Sequence, residues 1–196
     1  MKVAAEKIGG MASEYAIQMN NMALPAHDPR AYASLALTYA TSARGPCHTS
    51  AFTFWFERGT TFPELGIDKV LDRFQSEGKP EIVVKVQNAM ALWENLALCK
   101  FSVMGGVELR DICRWLKDVV GWDFSIPELL EVGERCIHLK RQLNRGWGIS
   151  RKNDLLPLRI LTHRVRDGVP DAERGGGERP ERQGGPRLER HERVVA

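Results

Sequence analysis

Between Gly78 and Gly148 the apolar residues recur at three- and four-residue intervals in three successive runs, each with its own start and stop. A chain patterned in this way packs helix on helix. The first run opens at Gly78-Lys79-Pro80 and repeats Val83, Val86, Met90, Trp93 and Leu96-Ala97 along one face. Proline is tolerated there because the first-turn amides have no intrahelical partner. The second run, Val107 to Val120, carries Leu109, Ile112, Cys113, Leu116 and Val120 on one stripe and stops at Gly121. The third opens on Ser125-Ile126-Pro127-Glu128, a capping box in which the Ser125 hydroxyl serves the Glu128 amide and the Glu128 carboxylate reaches back. It continues to about Asn144, with Leu129, Leu130, Val132, Ile137 and Leu139 facing a partner, and Arg145-Gly146-Trp147-Gly148 breaks it.

The chain before Gly78 is patterned less strongly. Asp28 followed by Pro29 is an N-cap with proline at the first helical position, leading into a helix from Ala31 to roughly Ser42 that ends before Gly45-Pro46. A short helix is expected over Ile67 to about Gln75. The pairs Gly9-Gly10 and Gly105-Gly106 sit at helix ends, where left-handed backbone is needed. No stretch alternates over more than a few residues, although Ala51 to Phe56 reads as a short extended segment. The fold class is all-α.

Composition divides the chain near Arg166. Residues 166–196 hold seven Arg against seven acids, six Gly and three Pro, with no aromatic residue, and cannot bury enough surface to offset ordering entropy. A helical region over 1–165 and a disordered Gly/Arg/Glu-rich tail over 166–196 are therefore expected. Over the whole chain, 28 Lys and Arg face 25 Asp and Glu, a net charge of +3, too little for a sequence-independent nucleic-acid binder. No window approaches the roughly 20 apolar residues of a membrane span, and Lys2 to Gly10 lacks the apolar core of a secretory signal. The reading is a soluble, cytoplasmic protein. Its four cysteines, Cys47, Cys99, Cys113 and Cys136, are too widely spaced for a disulfide framework or a C-x-x-C zinc site, so reduced thiols are the default.

Phosphate loops, dinucleotide fingerprints, zinc-protease helices and nucleophile elbows are absent from the sequence. Two constellations remain. Arg44-Gly45-Pro46-Cys47-His48 puts a cation, a thiol and an imidazole on one short loop after a helix. From chemistry alone, His48 is either a functional imidazole or an ordinary hydrogen-bonded loop histidine. Glu94 to Phe101 closes the long helix, and there a thiol, Cys99, stands beside Lys100, a neighbour able to hold it as thiolate.

These residues carry a resemblance. Ala26-His27-Asp28-Pro29-Arg30, Tyr39 to His48, and Leu98-Cys99-Lys100-Phe101 resemble the C-terminal part of the tungsten-dependent aldehyde ferredoxin oxidoreductases. Val120-Gly121-Trp122-Asp123, Gly133-Glu134-Arg135 and Gly148 to Asp154 continue the likeness in the same order, over roughly residues 1 to 160. The resemblance implies oxidation of aldehydes to carboxylates by a tungsten (or molybdenum) bis-pterin centre. A 4Fe-4S cluster then passes electrons to ferredoxin.

It also implies roles for particular residues. The family's fourth cluster cysteine lies in a D-x-x-G-L-C motif, which here reads Glu94-Asn95-Leu96-Ala97-Leu98-Cys99, so Cys99 maps onto the metal ligand and Glu94 and Leu98 onto cofactor-binding positions. Glu94 replaces an Asp that holds a pterin, and Ala97 replaces a Gly. His48 resembles the family's active-site histidine, a proton relay or substrate-orienting group, with Arg44 on the same cofactor-binding loop. Cys113, Cys136 and Cys47 are left without metal roles. The family's N-terminal sheet domain, its three other cluster cysteines and its first pterin motif have no counterpart in this sequence. The chain is thus expected to be a C-terminal fragment, inactive alone, whose partners are the missing N-terminal portion, ferredoxin and an aldehyde, with neither nucleic acid nor membrane. The alternative is a cofactor-free helical interaction module of the same family.

Overall fold

A computed structural model describes residues 2–162. The expected boundary at 165/166 and the tail of 166–196 lie outside the described residues. Seven α-helices run in chain order among them: α1 (Lys2–Ile8), α2 (Ala12–Tyr15), α3 (Ala33–Thr41), α4 (Lys79–Asn95), α5 (Leu109–Val120), α6 (Ile126–Gly146) and α7 (Leu158–Thr162). The class is all-α. One small antiparallel hairpin, Gln18–Met19 with Met22–Ala23, was not foreseen; Asn20 and Asn21 make its turn, both at positive φ.

The core lies between α3, α4 and α6. Val83, Val86, Met90 and Trp93 of α4 are buried, as the spacing requires, and the last three share one cluster with Leu35 and Tyr39 of α3 and Leu129 of α6. The crossing of α4 and α6 is close because Gly133 has no side chain: a Cβ there would stand 2.1 Å from the Asn88 carbonyl oxygen. Ser125 caps α6 as expected, its backbone amide donating to Glu128 Oε2 at 2.9 Å.

The apolar faces end sooner than the pattern implies. Leu109 and Ile112 are buried, but Val120 is half exposed; Leu139 is 59% exposed, and Leu143 of α6 and Trp147 just past its end are exposed as well. Leu96 and Ala97 lie beyond the last residue of α4 and do not extend its buried stripe.

Two local expectations are corrected. Ile67 to Gln75 forms no helix, because its backbone bonds to distant partners instead. Ile67 pairs with Phe62, the Leu71 amide donates to the Phe56 carbonyl, the Arg73 carbonyl accepts from the Ala33 amide at the start of α3, and the Asp72 carbonyl accepts from Lys79 Nζ. Ala51 to Phe56 is not extended: Phe52 is left-handed at φ 54° and Thr53–Trp55 is a 3-10 turn. Likewise Pro29–Ala31 is a separate 3-10 turn capped by Asp28, and α3 begins only at Ala33.

Those turns serve a buried ion pair. The Glu57 carboxylate and the Lys79 ammonium meet out of solvent, and Glu57 also accepts from the amide and hydroxyl of Ser34 in the first turn of α3. A buried charge pair is tolerable only when its remaining hydrogen-bonding capacity is met, and here the Ser34 groups and the Asp72 carbonyl meet it. The opposite end of α3 is closed by α6: Arg141 donates to the Thr41 carbonyl at 3.0 Å, and Asn144 to the Ala43 carbonyl at 2.6 Å. These two bonds place the Arg44 loop directly after a clamped helix end.

Candidate functional site

The way α4 stops decides where Cys99 stands. After Asn95 the chain turns through Ala97, which adopts left-handed backbone at φ 55°. The Leu98 amide donates back to the Trp93 carbonyl at 2.8 Å and the Ala97 amide to the Glu94 carbonyl at 3.3 Å, the two reversed bonds of a Schellman stop. Leu98 packs against the core and supplies the apolar contact that accompanies this motif. The next residue, Cys99, is extended and starts a 3-10 turn over Lys100–Gly105, leaving a free, exposed thiol. Glycine is favoured at a left-handed helix stop because it has no Cβ to collide with the carbonyl. The glycine of the resembling motif is thereby explained, and Ala97 bears the strain of replacing it.

Lys100 does not face its neighbour Cys99. Its ammonium donates to the Thr49 carbonyl at 3.1 Å and lies 3.5 Å from Glu94, and the thiol whose charge acts on it is Cys47. Lys100 is thus engaged by Glu94 and by the loop that carries Cys47 and His48. Burial pulls the Lys100 ammonium below its usual range, opposed by Glu94 and Cys47.

His48 stands on that other loop. The loop is tied by the Ser50 hydroxyl to the Cys47 carbonyl at 2.9 Å and by a Cys47 Sγ–Thr49 Oγ1 contact of 3.2 Å. Gly45, at φ 94°, lies so close to Met22 that a Cβ would sit 2.9 Å from its sulfur. The His48 ring packs edge-on against His27, centroids 4.4 Å apart, and both pack against Phe54. His48 Nδ1 is buried and has no hydrogen-bond partner among the described residues. A buried donor or acceptor left unmade is costly, so this nitrogen is a place where a further group fits. Desolvation, and then the His27 charge, push the His48 imidazole below its ordinary range.

Arg44 and Glu94 come together at the mouth of a small groove of about 220 Å³, with Lys140, Leu143 and Trp147. Glu94 accepts from Lys140 Nζ at 2.8 Å. Burial works to raise the Glu94 carboxyl, but the Lys140 bond and the charges of Lys100, Lys140 and Arg44 outweigh it and hold the group below the usual carboxylate range. A larger groove of about 510 Å³ on the other side of Arg44 is lined by Arg141, Arg145 and Arg151. Neither groove includes His48 or Cys99. The four positions are linked instead through Lys100, which touches both Glu94 and the residue after His48.

The described residues do not make up a metal site by themselves. They contain no group of three or more His, Cys, Asp or Glu side chains placed to hold a metal ion. One exposed thiolate-forming side chain, Cys99, suits soft iron as a single ligand. Cys113 is partly buried on α5 and its thiol is pushed up by desolvation, which suits packing rather than ligation.

Comparison with known proteins bears on this arrangement. The family model for "Aldehyde ferredoxin oxidoreductase, domains 2 & 3" matches residues 1–181. The chain belongs to the aldehyde ferredoxin oxidoreductase family. It is 33% identical over 169 residues to the tungsten-containing aldehyde ferredoxin oxidoreductase of Pyrococcus abyssi, covering 84% of this chain and 26% of that one. The counterpart in Pyrococcus horikoshii is 33% identical over 167 residues, with the same coverage. That of Thermococcus kodakarensis is 31% identical over 160 residues, covering 79% and 25%. The chain spans about a quarter of the length of these relatives.

Within the family frame, sequence reasoning singled out His48, Cys99, Glu94, Leu98 and Arg44 but gave no role to His27 or Lys140. His27 was visible only as part of Ala26-His27-Asp28-Pro29-Arg30, and no spacing in the sequence places it against a residue 21 positions later. Among the described residues no helix is long and apolar enough to cross a membrane.

Proposed function

We propose that this chain supplies the C-terminal part of an aldehyde-oxidising centre whose remaining ligands come from the part of the family's enzymes outside this sequence. The observation that carries the reading is the exposed Cys99 thiol, presented two residues after the left-handed Ala97 that stops α4 where the resembling motif has glycine. When bound, the tungsten bis-pterin accepts the substrate's electrons and the 4Fe-4S cluster carries them toward ferredoxin. Cys99 acts as one cluster thiolate. Arg44, Glu94 and the Leu98 backbone border the cofactor, and the Lys140 and Lys100 partners of Glu94 keep its carboxylate ionised. His48, held neutral beside His27, takes the proton released as water adds to the aldehyde carbon. Without the other three cluster cysteines the chain alone is inactive, because one thiolate does not hold a four-iron cluster.

The test uses enzyme assembled with the family's N-terminal region. Cys99→Ala removes the cluster signal in electron paramagnetic resonance, while Cys113→Ala leaves it. His48→Asn lowers turnover per bound tungsten by about 10²- to 10⁴-fold, the usual scale of acid-base help, with metal content unchanged. Equal cluster retention in the two cysteine variants ends the ligand assignment, and a loss of less than about threefold ends the His48 role.

The second reading, a cofactor-free helical module, is favoured by one feature: the Glu94 carboxylate is already occupied by Lys140 and Lys100. Tungsten and iron absent from the assembled complex support it.

A further inference from the structure

The geometry points to His27 as a positioning residue for aldehyde oxidation: its ring packs edge-on against His48 and fixes the plane of that imidazole. This rests on the reading of His48 as the proton-moving group. Three observations carry it. The two rings stand nearly perpendicular, 87° apart with centroids at 4.4 Å, a contact that restricts rotation of the His48 ring. Phe54 lies 5.4 Å from His27 and 6.2 Å from His48 on one side, so both imidazoles share an apolar wall. The His27 backbone is itself anchored, its carbonyl accepting from the Tyr39 hydroxyl at 3.2 Å, and Tyr39 is fully buried in α3.

Charge acts through the same contact. Two imidazolium rings at this separation repel, so charge on His27 disfavours a proton on His48. The other titratable groups on the surrounding elements are committed elsewhere. Asp28 is bound to Arg30, Tyr39 to the His27 carbonyl, Cys47 to Thr49, and Lys100 to Thr49 and Glu94. Burial, and after it His27, push the His48 imidazole below its ordinary range. His27 is exposed and His48 half-buried, so the outer ring is replaceable without opening the core.

Diethyl pyrocarbonate acylates neutral imidazole, and peptide mass spectrometry follows each histidine separately in the dilute full chain. In His27→Gln, and equally in His27→Asn, the pH midpoint of His48 acylation rises by roughly half a pH unit relative to wild type as the neighbouring charge is lost. In assembled enzyme the acid limb of the kcat profile moves up in the same variants while KM stays within about twofold. An unchanged or lowered His48 midpoint in both variants overturns the proposal. So does a raised midpoint with an unmoved acid limb. Failure of the underlying reading looks different: His48→Asn then retains turnover, whatever the His27 variants do to the midpoint.

Discussion

Lys100 lays its ammonium on the backbone carbonyl of Thr49 at 3.1 Å, joining the segment that presents Cys99 to the loop that presents His48 across 51 residues of sequence. The same ammonium lies 3.5 Å from Glu94 and is only 13% exposed, so one side chain spans both halves of the candidate site. Lys100→Met keeps the aliphatic packing and removes the bridge. Amide hydrogen exchange over residues 45–50 is expected to accelerate in this variant while the α4 core, around Val86 and Met90, stays protected. Unchanged exchange in the loop contradicts the bridging role.

Ala97 is strained where glycine is not. Its left-handed backbone costs an alanine roughly 1–2 kcal/mol, while glycine's extra unfolded-state freedom returns part of that, so Ala97→Gly stabilises by about 1 kcal/mol. For a chain of this size the expected rise in melting temperature is about 2–4 °C. A lower melting temperature contradicts the left-handed stop.

Gly133 is the converse case. Alanine normally favours a helix interior by about 1 kcal/mol, but here its Cβ meets the Asn88 carbonyl oxygen at 2.1 Å, and backbone on the facing helix has no rotamer with which to yield. Gly133→Ala therefore destabilises by about 2–3 kcal/mol despite its better propensity, measurable by urea denaturation. The clash outweighs the propensity; a stabilised variant means α4 and α6 do not cross there.

Acid should weaken the fold through His48. Its folded-state imidazole is harder to protonate than in the unfolded chain, first because of burial and then because of His27. Below the unfolded value near pH 6.5 the unfolded chain therefore binds more protons, and stability falls with pH; above it the contribution is fully present. The difference in unfolding free energy between wild type and His48→Gln, followed from pH 7.5 to about pH 5, isolates this group. Wild type is expected to lose more on acidification than the variant, and equal losses contradict the shift.

Helix identity was legible where local and global preferences agree. α4, α5 and α6 each carry an apolar period, a proline or capping residue at the start and, for α5, a glycine at the stop, all short-range features. Residues 67–75 misled because their composition permits a helix while their carbonyls are claimed by Lys79 and by the first amide of α3. A claim made from another element leaves no periodic trace. The same reason hides the exposure of Leu139 and Leu143, whose helical spacing is real but whose face turns to solvent.

The candidate site divides along the same line. By itself the sequence determined the residue types and their order: an imidazole after Arg44-Gly45-Pro46-Cys47, and a thiol five residues after an acid at the end of a helix. Such short motifs survive because a loop or helix stop makes its chemistry within a few residues. Only the tertiary structure decided that Lys100 turns from Cys99 to Thr49, that Glu94 meets Lys140 from α6, and that His27 stands against His48. Each of those contacts depends on how packed helices aim distant loops. That direction is set by core contacts such as Gly133 on Asn88, not by any property of the residues that meet.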